Sequence, residues 1–217
     1  MRKYERVIGI AYIPVHSYGL AFVFMLLFRL FKTYPSAPTY DLLYYGVSAM
    51  FLLLSMNVFW RQSIRDIKRA PIIMIQAIVL GYVLEFAGAY AVNFALSFVL
   101  ADLVNPNSAA INAVAAIDPR AMALVSVVLA PIVEETMFRG ALFGTIRTKN
   151  RVAAYIVSVA AFAIYHLWWE LAKSGWNPRT CLYLLQYVPA GIALAWCYEK
   201  SETIVGPVIL HALINLL

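Results

Sequence analysis

The sequence predicts an all-α fold, a polytopic bundle of transmembrane helices with about seven spans, or eight helices if one is re-entrant or interfacial. Three observations predict it. Hydrophobic residues make up 63% of the 217 and charged residues only 13%, against roughly 25% charged in soluble domains. The apolar residues run continuously over membrane-crossing lengths, not in the short alternating segments of a β-barrel. The basic residues behind the net charge of +6 fall in short clusters between those runs, which is the pattern that orients membrane helices; they form no stripe suited to nucleic acid. The whole chain, 1–217, reads as one integral membrane domain, with the chemistry-bearing core in 121–217.

Spans are expected at 7–31, 41–60, 71–100, 121–146, 152–172, 181–198 and 204–217. The first follows the basic start MRKYER and is too long, and too poor in small residues at its end, for a cleavable signal; it reads as an uncleaved span, with His16 near its interface. In the third, the Ala-, Gly- and aromatic-rich run from Val79 to Leu100 suits close helix packing, and Glu85 and Asn93 read as cross-bundle hydrogen-bonding groups. The loop 101–119 holds two prolines, three asparagines and two aspartates, and is expected to be an exposed connection or a partly re-entrant helix. Trp168 and Trp169, followed by Glu170, read as an interfacial anchor at the end of the fifth span. Cys181 and Cys197 are 16 residues apart in the sixth, which indicates neither a disulfide nor a thiolate metal site.

Charge sets the expected orientation. With the N-terminus cytoplasmic, that side carries the clusters Arg2/Lys3/Arg6, Arg61/Arg65/Lys68/Arg69, Arg147/Lys149/Arg151 and Lys200, and the opposite side only Arg29, Lys32, Arg120, Lys173 and Arg179. The bias predicts a multi-pass cell-membrane protein with its N-terminus inside.

The fourth span holds the strongest functional signal. Glu134 and Glu135 stand side by side in APIVEETMFRGALFGTI, and carboxylates at membrane depth are costly unless they are used. Successive helical side chains diverge by about 100°, so the two cannot both face one point. Glu135 and Arg139, four apart, can pair along one face, leaving Glu134 as the working carboxylate. Pro131 predicts a kink one turn earlier, and Gly140 and Gly144 permit close helix approach. His211 and Asn215 are also four apart and can both donate to one oxygen, as an oxyanion requires. Glu134 lies about 20 Å along its helix from Arg147, His166 about 21 Å from Val152, and His211 about 11 Å from Ile204, so the three can meet inside the membrane.

The segments PIVEETMFRG, FAIYH and HALIN resemble the EExxxR, FxxxH and HxxxN motifs of the CPBP family, the CAAX-protease and bacteriocin-processing intramembrane proteases that include the type II CAAX prenyl endopeptidases. All three occur in family order between Glu134 and Asn215, while the first 120 residues add only compatible helices. The resemblance implies that Glu134 activates the hydrolytic water, that Glu135 and Arg139 support it, that His166 assists, and that His211 and Asn215 stabilise the oxyanion. Phe162 would pack beside His166.

The implied reaction is peptide-bond hydrolysis without an acyl-enzyme, by a glutamic-type intramembrane endopeptidase. No cofactor is expected. Glu134, His166 and His211 are also a catalytic zinc set, but HExxH spacing is absent and Asn215 is a poor zinc ligand, so a metal-free mechanism is favoured. The expected partners are the lipid bilayer and a peptide or membrane-protein substrate, lipid-modified or not. The short final span differs from the eight-span arrangement of prenyl-protein members, which weakens transfer of prenyl specificity more than of the catalytic centre. The rival functions are a non-catalytic membrane scaffold or immunity protein and a proton-coupled transporter.

Overall fold

Prolines and short polar side chains set the helix starts. In the computed structural model, which describes residues 1–100 and 103–216 apart from the side chain of Ser174, Pro71, Pro106, Pro119 and Pro178 each open a helix. A missing N–H costs nothing at that position. Asn105, Asp118, Asn150 and Asn177 precede helices, and their side chains accept backbone N–H bonds from the first turn. Each satisfies a donor that no helix can satisfy internally.

The helices in chain order are α1 Lys3–Leu30, α2 Ala37–Ser55, α3 Asn57–Ile67, α4 Pro71–Leu96, α5 Pro106–Ile117, α6 Pro119–Arg147, α7 Arg151–Ser174, α8 Pro178–Ser201 and α9 Val205–Leu216. Of these, α1, α4, α6, α7 and α8 are long and apolar enough to cross a membrane, and α2 with α3 would make a sixth as a bent pair. The protein is therefore an all-α, multi-pass membrane bundle. Glu202, in the left-handed conformation, ends α8 and turns the chain toward α9.

The expected count of about seven spans is not reached, for two physical reasons. The stretch foreseen as one span at 41–60 bends by 83° between α2 and α3. Beyond the bend lie Arg61, Gln62, Ser63, Arg65 and Asp66, so α3 is far more polar than α2. Buried Glu5 fixes the turn by accepting the Phe59 N–H at 2.9 Å near the start of α3. The stretch foreseen at 204–217 is the 12-residue α9, about 18 Å long and well short of a hydrocarbon core. Within 101–119, Ala101 and Asp102 lie outside the described residues, and most of the remainder is α5, which buries no residue.

The most enclosed helix is α6. Its most apolar stretch is 61% buried, against 11% for those of α1 and α4. It contributes Val133, Met137, Phe138 and Ala141 to the main core, where they meet Tyr12, Leu52, Met56, Phe162, Leu194 and Leu210. A bundle arranged this way removes the polar residues of α6 from lipid. Pro131 leaves α6 a single span: the backbone is π-helical over Val125–Leu129, just before it, and again over Thr136–Phe143. A π turn accommodates a residue whose N–H is missing, so the expected kink is spread over the preceding turn.

Close packing involves glycine where expected. A methyl group at Gly81 of α4 would come within 2.6 Å of Leu210 Cδ2 on α9, and one at Gly140 of α6 within 3.0 Å of the Phe59 ring. His16, expected near the interface, is fully buried by other protein groups within the π-helical segment Val15–Gly19 of α1.

Candidate active site

The polar side chains of α6 meet others from α7, α9 and α2. Glu134 and Glu135 end the α-helical stretch Ala130–Glu135, and Arg139 follows in the π-helical stretch. Arg139 and Glu135 are wholly buried, and Glu134 and His211 nearly so. Such a cluster is expensive to desolvate and must be satisfied from within.

Glu135 is held on one oxygen by two partners. Arg139 Nη1 donates to its Oε1 at 2.9 Å, and His211 Nδ1 stands 2.8 Å from the same atom. Arg139 is fixed further by Nη2 donating to the Gly191 carbonyl of α8 at 3.3 Å and by its guanidinium carbon lying 4.1 Å from the Phe162 ring centroid. Phe162 in turn packs edge-on against His166, centroids 4.4 Å apart.

Glu134 has a different environment. Tyr45 of α2 donates to its Oε1 at 3.5 Å. Its Oε2 is buried without a hydrogen-bond partner, yet His166 Nε2 lies 3.6 Å from it and His211 Nε2 3.9 Å. The other nitrogen of each ring is engaged. His166 Nδ1 is 2.8 Å from the Phe162 carbonyl and His211 Nδ1 faces Glu135. Both of those oxygens accept, so each Nδ1 carries a hydrogen, and in a neutral ring each Nε2 presents a lone pair. Glu134 Oε2 and a neutral His166 Nε2 therefore present two acceptors to one point, which suits a donor with hydrogens to share, while His211 Nε2 accepts there if its ring is neutral and donates if it is doubly protonated. The His166 side chain is 15% exposed, against 4% for that of Glu134, which makes it the outer edge of the site.

Those three groups are the same ones that would hold a metal, and their Nδ1 contacts resemble the outer partners of metal-bound imidazoles. Among the described residues, however, no group of three or more His, Cys, Asp or Glu side chains is placed to hold a metal ion. An apolar surface groove of about 540 Å³, lined by Tyr18, Phe22, Met25 and Trp169 among others, shares no residue with the cluster.

Residues 116–217 match the family described as Type II CAAX prenyl endopeptidase Rce1-like. Over that region, a little under half of the chain, the protein is similar to the CAAX proteases. The matched region contains all three motifs. A curated relative, UPF0177 protein YxdF of Lactococcus lactis subsp. lactis (strain IL1403), is 29% identical over 89 residues, covering 41% of this chain and 43% of that protein. The chain thus spans less than half the length of the curated relative it matches. No solved structure matches it significantly.

Of the six motif residues named from the sequence, five are linked by the contacts above. Asn215 stands apart: its Nδ2 donates to the Ser126 carbonyl at 2.8 Å, and the residue is exposed. The two contacts also show that α9 runs antiparallel to α6, since advancing from His211 to Asn215 retreats from Glu135 to Ser126. Glu134 and Glu135 do face different points, as helix rotation requires, and the imidazole of His211 spans them, with Nδ1 at 2.8 Å from Glu135 Oε1 and Nε2 at 3.9 Å from Glu134 Oε2.

Four further side chains were not legible as site residues. Tyr45 has no motif around it. Tyr165 lies inside FAIYH, but its hydroxyl is 3.2 Å from that of Tyr45, and its ring is tilted against Phe138 and edge-on to His166. Tyr187 stacks on His166 with centroids 4.5 Å apart, and donates to Asn105 Oδ1 at 3.1 Å. His16 lies 2.9 Å from Tyr165 Oη through Nε2. Only a contact between helices distant in sequence could reveal them.

Proposed function

We propose that the protein is an intramembrane endopeptidase that hydrolyses a peptide bond with a glutamate-activated water. The observation that carries this reading is the unpartnered Oε2 of Glu134, faced by Nε2 of both His166 and His211. A water among these atoms donates one hydrogen to Glu134 Oε2 and the other to His166 Nε2, which directs an oxygen lone pair at the scissile carbonyl. Glu134 takes the proton as the C–O bond forms. His211, carrying hydrogens on both nitrogens, donates through Nε2 to the developing oxyanion, while Glu135 holds its Nδ1 as a carboxylate holds the histidine of a hydrolytic triad. Asn215, whose amide is engaged by the Ser126 carbonyl, would serve as a second oxyanion donor only by leaving that contact when substrate binds. Collapse breaks the C–N bond, and the proton held by Glu134 or His166 passes to the leaving amine. Water is thereby divided between the new carboxyl and amino ends. The reaction needs no metal, and Arg139 neutralises Glu135 without reaching the water.

The substrate is a peptide or membrane-protein segment that unfolds locally to enter from the exposed edge of His166. The N-terminus is cytoplasmic by the distribution of basic residues. The deciding experiment compares peptide release, by mass spectrometry, from membranes containing wild type and Glu134→Gln. Loss of cleavage in a variant that inserts and melts like wild type is expected. Retained cleavage would remove Glu134 from the chemistry, and unaltered partner binding with no cleavage by either protein would favour the scaffold or immunity role.

A further inference from the structure

Buried polar residues of α1 and α2, joined by Tyr165 of α7, form a hydrogen-bonded chain that ends on Glu134 of α6. It begins at Ser48 of α2, whose hydroxyl donates to the Tyr44 carbonyl at 2.8 Å. That commits its only hydrogen, so Ser48 Oγ can only accept from its other neighbours. Tyr12 donates to it at 3.1 Å. His16 Nδ1, 3.0 Å away, must then carry a hydrogen, and the Nε2 of a neutral ring is left as an acceptor. Tyr165 Oη, 2.9 Å from that Nε2, donates to it. Tyr165 has no second hydrogen to give, so toward Tyr45, 3.2 Å away, it can only accept.

The direction of every bond is thus set from the backbone carbonyl of Tyr44 outward. Tyr45 is left with one hydrogen and two acceptors, Tyr165 Oη at 3.2 Å and Glu134 Oε1 at 3.5 Å. The carboxylate is the stronger acceptor when it is charged, and the phenol oxygen when Glu134 holds a proton. We propose that the Ser48–His16–Tyr165 chain makes Tyr45 a dedicated donor to Glu134 Oε1, which holds the carboxylate so that Oε2 receives the proton from water. When Glu134 is protonated, Tyr45 turns to Tyr165 and releases Oε1. Tyr45 and His16 are positioning residues for the reaction, supplied by a part of the chain outside the family match at 116–217.

This inference rests on the protease reading above, and the two fail in distinguishable ways. In detergent-solubilised full-length protein cleaving a reporter peptide, Tyr45→Phe is expected to lower kcat about tenfold, the worth of one hydrogen bond to a charged group, with KM within about twofold. His16→Leu should match it. His16→Gln, whose amide can donate to Ser48 and accept from Tyr165, should recover most of the loss. The double variant Tyr45→Phe/His16→Leu should be no slower than Tyr45→Phe alone, because both interrupt one path. Wild-type kcat in Tyr45→Phe beside an inactive Glu134→Gln would overturn the chain and leave the protease standing. Multiplicative losses in the double variant would overturn it as well, since they mark two independent packing defects. Should His16→Leu not fold, Tyr165→Phe replaces it in the same cycle, with the same two outcomes.

Discussion

His211 Nδ1 lies 2.8 Å from Glu135 Oε1, the same oxygen that accepts Arg139 Nη1 at 2.9 Å. One carboxylate oxygen therefore fixes both the arginine of its own helix and the imidazole of the last helix. Its neighbour Glu134 is left to face the Nε2 side of that imidazole.

Glu135 and His211 should act as a unit. Glu135→Gln is expected to lower kcat by about 10²–10⁴-fold, the range for a carboxylate that orients a catalytic histidine. His211→Ala should cost as much, and the pair together little more than either alone. Steady-state kinetics on the four proteins check this; fully multiplicative losses would separate the two roles.

Arg139 should matter for stability before it matters for rate. Arg139→Ala leaves Glu135 a buried, half-satisfied charge and is expected to cost about 3–5 kcal/mol. Arg139→Met/Glu135→Gln, which removes both charges, should recover much of that. Thermal or denaturant unfolding in detergent gives the answer, and a small loss in Arg139→Ala would mean that water reaches the pair.

Gly81 links packing to chemistry. Gly81→Val drives a side chain into Leu210, one residue before His211, and is expected to cost about 1–3 kcal/mol and to displace α9. Activity should fall further than stability alone explains, and Leu210→Ala in the same protein should restore part of both. Unchanged activity in Gly81→Val would show that α9 repositions freely.

Metal dependence has a direct readout. The metal-free mechanism expects purified, active protein to carry less than stoichiometric zinc and to keep its rate after chelation. Stoichiometric zinc, lost together with activity and restored by adding it back, would turn Glu134, His166 and His211 from a water site into a ligand set.

The sequence alone determined the all-α membrane class, because hydropathy acts residue by residue and long apolar runs have few alternatives in lipid. It also made the Glu135–Arg139 pair legible, since that pair follows from spacing within a single helix, and it placed His211 at a depth where it could meet Glu134 without fixing which way it faces. It could not determine that the stretch at 41–60 turns by 83°, because the bend depends on Glu5, more than fifty residues away, accepting a bond at the start of α3. His16 carries the same lesson. Its position near the start of an apolar run reads as interfacial, and only the approach of α1 to α2 and α7 gives it Ser48 and Tyr165 as partners. The tertiary structure likewise joined Glu134 and Glu135 through one imidazole. A helix rotates its own neighbours apart by a fixed angle, and only a side chain arriving from a second helix can span that angle.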